Sequence, residues 1–188
     1  LQDMIMSCHF ALEHTHDERT DMLCDPVRSF HCLSKVLNNR LHDELREKMG
    51  LGYSASFGSV QYTLLDGGMA YVCVTAFPDK IDETVNAALA IMHECATSRP
   101  VVQSELVKAR DPITASETSV LASNSTWLSY CTDLQSTVVP KQLSDVRGVF
   151  PHYSSLSCQD LNEAARLCLS PNCVHIAVGR TTGSDAKS

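Results

Sequence analysis

Between Pro26 and Met49 the apolar residues Phe30, Leu33, Val36, Leu37, Leu41, Leu45 and Met49 recur at steps of three and four. That spacing is one face of an amphipathic helix. Gly50 follows directly and predicts a left-handed C-terminal cap. Ahead of the helix, "LQDMIMSCHFAL" reads as a strand, and the polar "EHTHDERTDMLCDPVRS" as an exposed loop leading into the helix. Beyond Gly50, "YSASFGSV" alternates weakly and predicts a strand. "MAYVCVTAF" follows the turn signal Asp66-Gly67-Gly68 and is apolar at both parities. It predicts a central strand buried on both faces.

The second half of the chain is mainly of helical period. "PDKIDETVNAALAIMHECATS" predicts a helix with Asp79 as N-cap and Ile81, Val85, Leu89 and Met92 as its stripe. "VVQSELVKARD" starts another, with Ser104 as cap, and Pro112 should kink or end it. One further helical stretch is expected from Thr114 to Leu134, with Trp127 and Leu128 in its middle. "QLSDVRGVFPHY" is short and broken by Gly148 and Pro151. "SCQDLNEAARLCL" predicts a compact helix in which Ser157 caps and Asp160 answers three residues later. "NCVHIAVG" is the closing strand, and residues 181–188 are expected to be a flexible tail. Few strands, joined early by a loop rather than by helices, point to an α+β fold. The expectation is one two-layer module over residues 1–188, with a mostly antiparallel sheet and helices on one face.

Composition narrows the function classes. Of 188 residues, 44% are hydrophobic and 20% charged, enough apolar side chain for one core. The net charge of −7 argues against nucleic acid or a membrane surface as partner. No apolar run approaches the roughly 18 residues of a membrane span. The chain begins with Leu1 and no signal segment follows it, so a fragment of a larger protein is expected, and its compartment is not readable. The nine cysteines are odd in number and never spaced C-x-x-C, which disfavours a structural zinc site or a redox dithiol. Several fall in apolar patterns, as Cys73 does, and a reduced, buried set is expected.

The histidines supply no convincing metal motif. "HFALEH" offers His9, Glu13 and His14, but one residue too many separates the first histidine from the glutamate. On a helix the two histidines would lie about 140° apart, poor for holding one ion. There is no G-x-S-x-G and no phosphate loop. What remains is Arg46 and Tyr53, seven residues apart across a helix-to-strand corner. A cation in the last helical turn gains about 0.3–1 kcal/mol from the helix dipole, and Tyr53 shares strand parity with Ala55 and Phe57. Both residues therefore have a structural reading. They also have a chemical one, because guanidinium and phenol are both donors. Two donors aimed at one point can hold a peptide carbonyl or the oxyanion it becomes.

The stretch "LNNRLHDELREKMGLGYSASFGS" resembles the arginine–tyrosine segment of the pitrilysin/insulinase family of zinc metallopeptidases. There an amphipathic helix is followed by L-R-x-x-x-G-L-x-Y and a strand, and Arg46 and Tyr53 match its two key positions. "VVQSELVKAR" is similar to the family's E-L-x-x-A-[KR] helix start. "YSSLSCQDLNEAARLCLSPNCVHIAVG" is similar to its ending, so the resemblance covers residues 3 to 180. Pro112 departs from the pattern, in a helix that usually runs on.

The resemblance implies a clamshell of repeated α+β modules. The first module binds zinc through H-x-x-E-H and a distal glutamate; the last supplies the arginine and tyrosine that grip a peptide substrate. It implies that this chain is the last, non-catalytic module of a zinc metalloendopeptidase. Alone it would be inactive and without a cofactor, the zinc belonging to the parent enzyme. Its partner would be the zinc-bearing N-terminal half of the same chain or another subunit. The alternative the family offers is a scaffold module of an inactive member, as in respiratory-complex core proteins.

Overall fold

The expected first helix forms as α1 (Pro26–Leu41) and runs on as a π-helical segment, His42–Lys48. In this computed structural model, residues 2–10, 26–61, 68–133, 149–169 and 174–178 are described. The predicted loop before α1 and the tail over 181–188 lie outside them. Phe30, Leu33, Val36, Leu37, Leu41 and Leu45 are all buried, as their spacing predicts. Each such side chain contributes about 1.5–3 kcal/mol on leaving water. Met49 departs from the stripe and is 50% exposed. The winding widens after Leu41, so a count based on the α-helical period no longer holds at Met49.

Among the described residues four strands form one antiparallel sheet: β1 (Gln2–Phe10), β2 (Gly52–Gln61), β3 (Gly68–Ala76) and β4 (Val174–Val178), in the order β2-β3-β1-β4. β1 pairs with β3 through Gln2↔Ala76 to Phe10↔Gly68, and with β4 through Met4↔Val178 to Cys8↔Val174. β3 is central, as expected, but it is not buried on both faces. Ala70, Val72, Val74 and Ala76 are buried, whereas Met69, Tyr71, Cys73 and Thr75 are only half-buried. Among the described residues helices cover one face alone, which gives the two-layer α+β architecture the chain order implied.

The remaining helices are α2 (Ile81–Ala96), α3 (Gln103–Ala115), α4 (Glu117–Leu121), α5 (Asn124–Asp133), α6 (Val149–Ser155) and α7 (Cys158–Cys168). A 3-10 turn, Pro78–Lys80, precedes α2, so Asp79 sits inside that turn and is not the N-cap. The buried face of α2 is Ile81, Thr84, Ala88, Ile91, Met92 and Cys95, with Val85 and Leu89 at its margin. Thr84 tolerates burial because its hydroxyl donates to Lys80 O at 2.8 Å. At α3 the cap is Val102, not Ser104; the Glu105 carboxylate accepts the Val102 N–H at 3.1 Å. Pro112 is accommodated inside α3, which ends three residues later at Ala115. The single helix expected from Thr114 to Leu134 is in fact divided among the end of α3, α4 and α5, with breaks at Ser116 and Ala122–Ser123. At the start of α7 the Ser157 N–H donates to Asp160 Oδ2 at 2.8 Å, the reciprocal cap read from sequence.

Two asparagines fasten these layers. Asn38 of α1 donates to Phe57 O at 2.7 Å and accepts the Phe57 N–H at 2.8 Å. Asn162 of α7 accepts the Val101 N–H at 2.6 Å and donates to Val101 O at 3.3 Å. Each side-chain amide thus satisfies both backbone groups of one residue outside its own helix. Cys32, Cys95 and Cys168 are buried and Cys131 is exposed. Burial pushes the Cys32 thiol up to about 11 and raises that of Cys95 as well. Among the described residues, no helix is long and apolar enough to cross a membrane.

Candidate functional site at the helix-to-strand corner

Arg46 lies in the π segment and Tyr53 on β2, so the two stand on either side of the corner Met49–Gly52. The corner is closed by backbone hydrogen bonds. Gly50 takes φ +59°, the left-handed conformation open to glycine at little cost. Its N–H donates to Arg46 O at 3.2 Å, and the Leu51 N–H reaches back to Leu45 O at 2.9 Å. Leu45 and Leu51, both buried, anchor the turn to the core. Gly52 has a different role: a Cβ there would come 2.8 Å from Thr75 O, so only glycine lets β2 start this close to β3.

The side chain of Arg46 is 54% exposed. Its Nη1 lies 3.4 Å from His42 Nε2 and its Nε 3.5 Å from Glu47 Oε1. Both contacts are long and lie at the surface, so they do not neutralise the cation. At Tyr53 the β2–β3 register jumps. Gly52 pairs with Ala76 and Ser54 with Thr75, two steps along β2 for one along β3. Tyr53 is the additional residue of this bulge, and a period-two count does not carry across it. Its shared parity with Ala55 and Phe57 is therefore no guide to its role. The π segment packs against β2.

One charged residue near the corner escaped the reading by motif. Arg40 is 4% exposed, and its Nε and Nη2 form a fork on Glu105 at 2.8 and 2.7 Å. Its Nη1 donates to Arg99 O at 2.7 Å, and Nη2 also to Pro100 O at 3.1 Å. The signal was available: Arg40 falls four residues after Val36 and three after Leu37, on the apolar stripe. A cleft of about 530 Å³ opens beside this latch, lined among others by Asn39, His42, Glu44, Lys48, Arg99 and Lys108. Glu44 there accepts from Lys48 at 2.8 Å and from Arg99 at 2.9 Å. These charges satisfy one another and serve as a structural latch for the end of α1, not as a reacting group.

The latch should be visible in acid. Burial pushes the Glu105 carboxyl up, but the Arg40 fork, the Val102 N–H and the Arg40 and Arg99 charges outweigh it, and its pKa lies below the ordinary value of 4.5. Hydrogen bonds from Lys48 and Arg99 lower Glu44 in the same way. A depressed folded-state pKa means that the unfolded chain takes up protons first. The stabilisation is therefore complete above about pH 4.5 and lost as pH falls through the lower folded value. The melting temperature should drop over that acid range, and Glu105→Gln should flatten the drop. An unchanged acid limb in that variant would remove Glu105 from the account.

Among the described residues no group of three or more His, Cys, Asp and Glu is arranged to hold a metal ion. His9 lies on β1 opposite Met69, and Glu13, His14 and His16 lie outside the described residues. The described side chains do not fit zinc. The corner carries one guanidinium, on Arg46, and one phenol, on Tyr53.

Known proteins resemble this chain in sequence and fold. Residues 29–112 match the family model described as the peptidase M16 inactive domain. The chloroplastic stromal processing peptidase of Oryza sativa subsp. indica is 29% identical over 130 residues, 69% of this chain and 10% of that protein. The chain thus spans about a tenth of the length of the curated relatives it matches. Among solved structures, the peptidase M16 inactive domain from Pseudomonas fluorescens has a TM-score of 0.76 at 19% identity, covering 94% of this chain and 40% of that one. The inactive peptidase domain of a putative zinc protease from Bordetella parapertussis has a TM-score of 0.78 at 14% identity, covering 99% of this chain and 94% of that one. At such identities these two likenesses concern the fold.

Proposed function

We propose, from the match of residues 29–112 to the family model described as the peptidase M16 inactive domain, that this chain is the substrate-gripping C-terminal module of a zinc metalloendopeptidase. The observation that carries the reading is the corner itself: an exposed arginine on one side, a tyrosine at a strand bulge on the other, in the spacing L-R-x-x-x-G-L-x-Y. In the parent enzyme Arg46 and Tyr53 donate to the carbonyl of the scissile peptide and hold the negative charge that grows on its oxygen. The module supplies neither the metal nor the attacking water. Both belong to a zinc-bearing half, on the same polypeptide or on a partner subunit. Zinc there polarises the carbonyl and activates water. A scaffold module would have no use for the Arg46–Tyr53 pair, and its presence favours the peptidase reading over that alternative.

The isolated chain is accordingly expected to cleave no peptide and to hold no stoichiometric zinc after dialysis, while the full-length parent does both. Elemental analysis beside a peptide-cleavage assay is the check. One zinc retained per isolated chain, and lost when His9 and His14 are changed, would overturn the division of labour.

A further inference from the structure

We infer that the π winding of His42–Lys48 and the β-bulge at Tyr53 are a paired positioning device, and that the aim of Arg46 depends on the winding as much as on the residue. The inference rests on the reading of Arg46 and Tyr53 as substrate donors. Two local irregularities flank one corner, and each carries one of the two candidate residues. On the helix side the Met49 N–H bonds five residues back to Glu44 O at 3.0 Å, and the Leu51 N–H six back to Leu45 O at 2.9 Å. On the strand side β2 spends one residue more than β3 between Gly52 and Ser54, and that residue is Tyr53. A π turn is a poorer helix than an α turn, and a bulge interrupts a ladder; neither is the default of a stable chain. Hydrophobic spacing does not require the π turn, since the predicted α-helical stripe would have carried Met49 into the core, yet Met49 is half-exposed.

The geometric effect is direct. An α-helix turns by about 100° per residue, and a winding closed five residues back turns by less. Over the four residues from His42 to Arg46 the difference accumulates to something on the order of tens of degrees. The guanidinium sits at the end of a long stem, so such a rotation about the helix axis moves it by several ångströms, enough to take a donor off a carbonyl. Arg46 is thus a catalytic residue under the proposed function, and the extra residue of the π segment is a positioning element that acts through it.

The test removes the winding and keeps both donors. Asp43 is 69% exposed and lies in the π segment, upstream of Arg46. Deleting it returns the segment to the length of an α-helix while Arg46, Tyr53 and their seven-residue spacing all remain. In the full-length parent this deletion should cut kcat at least tenfold, change KM less, and leave the melting temperature within a few degrees. Asp43→Ala, which keeps the length, should leave kcat unchanged. A folded deletion variant with full kcat would overturn the inference. So would Asp43→Ala losing as much as the deletion, because the side chain and not the winding would then be responsible. If the Asp43 deletion does not fold, deletion of His42 makes the same conversion and is read in the same way. Tyr53→Phe, measured alongside, separates the two levels: full activity there sinks the proposed function, whereas loss there beside a fully active deletion sinks only the role of the winding.

Discussion

Tyr53→Phe in the full-length parent is expected to lower peptide turnover by about 100- to 1,000-fold, equivalent to roughly 3–4 kcal/mol of transition-state stabilisation. The expected effect is differential. A hydroxyl that donates weakly to a neutral carbonyl and strongly to the oxyanion acts on kcat, and substrate binding changes little. The substitution deletes one oxygen and keeps the ring, so the melting temperature should stay within a few degrees. Arg46→Ala should also lower turnover, but it removes an aliphatic stem as well as a charge and reads less cleanly. Turnover unaffected by the loss of the hydroxyl would return Tyr53 to a structural role. A large fall in stability would do the same, since it would mean that the hydroxyl satisfies a buried partner.

Arg40→Met should be the most damaging single change to the fold, costing about 3 kcal/mol or more and lowering the melting temperature by roughly 10 °C in a chain of this size. Methionine keeps much of the stem's packing. It leaves the Glu105 carboxylate, Arg99 O and Pro100 O without the four hydrogen bonds that Arg40 supplies. Glu105 retains 25% exposure and recovers some water, which sets the expectation at the lower end of the range for a broken buried pair. Arg40→Lys should recover only part of the loss, because an ammonium cannot span a carboxylate and two carbonyls at once. Urea unfolding of the three proteins measures this. If Arg40→Met is as stable as the parent sequence, the cost of burying the charge had already cancelled its attractions.

What the sequence made legible was local. The stripe from Phe30 to Leu45, the left-handed Gly50 and the Ser157–Asp160 cap each depend on residues within a turn or two, and each stands where the spacing put it. Arg46 and Tyr53 could be named for the same reason, since a helix, a glycine and a strand in succession make a corner from either end. Other features depended on partners far along the chain. Glu105 lies 65 residues from Arg40, and no window of helical period spans that distance. Asn38 looked like an ordinary polar position on α1, though it reaches a strand residue 19 positions on. The half-exposed outer face of β3 was hidden because Met69, Tyr71 and Cys73 are apolar enough to suggest burial. The π turn and the bulge are harder still. A single added residue leaves almost no mark on a hydrophobic pattern, and its effect shows only in an exposed Met49 and a shifted register.

The clamp of Asn38 on Phe57 has a consequence for what can approach the sheet. Among the described strands β2 lies at the edge, and an edge normally offers a row of free N–H and C=O groups to any extended peptide. At Phe57 both groups are already engaged by the one side-chain amide. A peptide laid along this edge cannot continue the ladder past that residue without evicting Asn38 and lifting α1 from the strand. The module is thus blocked at mid-strand against sheet extension. Under the proposed function it grips a substrate at a point, and does not incorporate it as a further strand along β2.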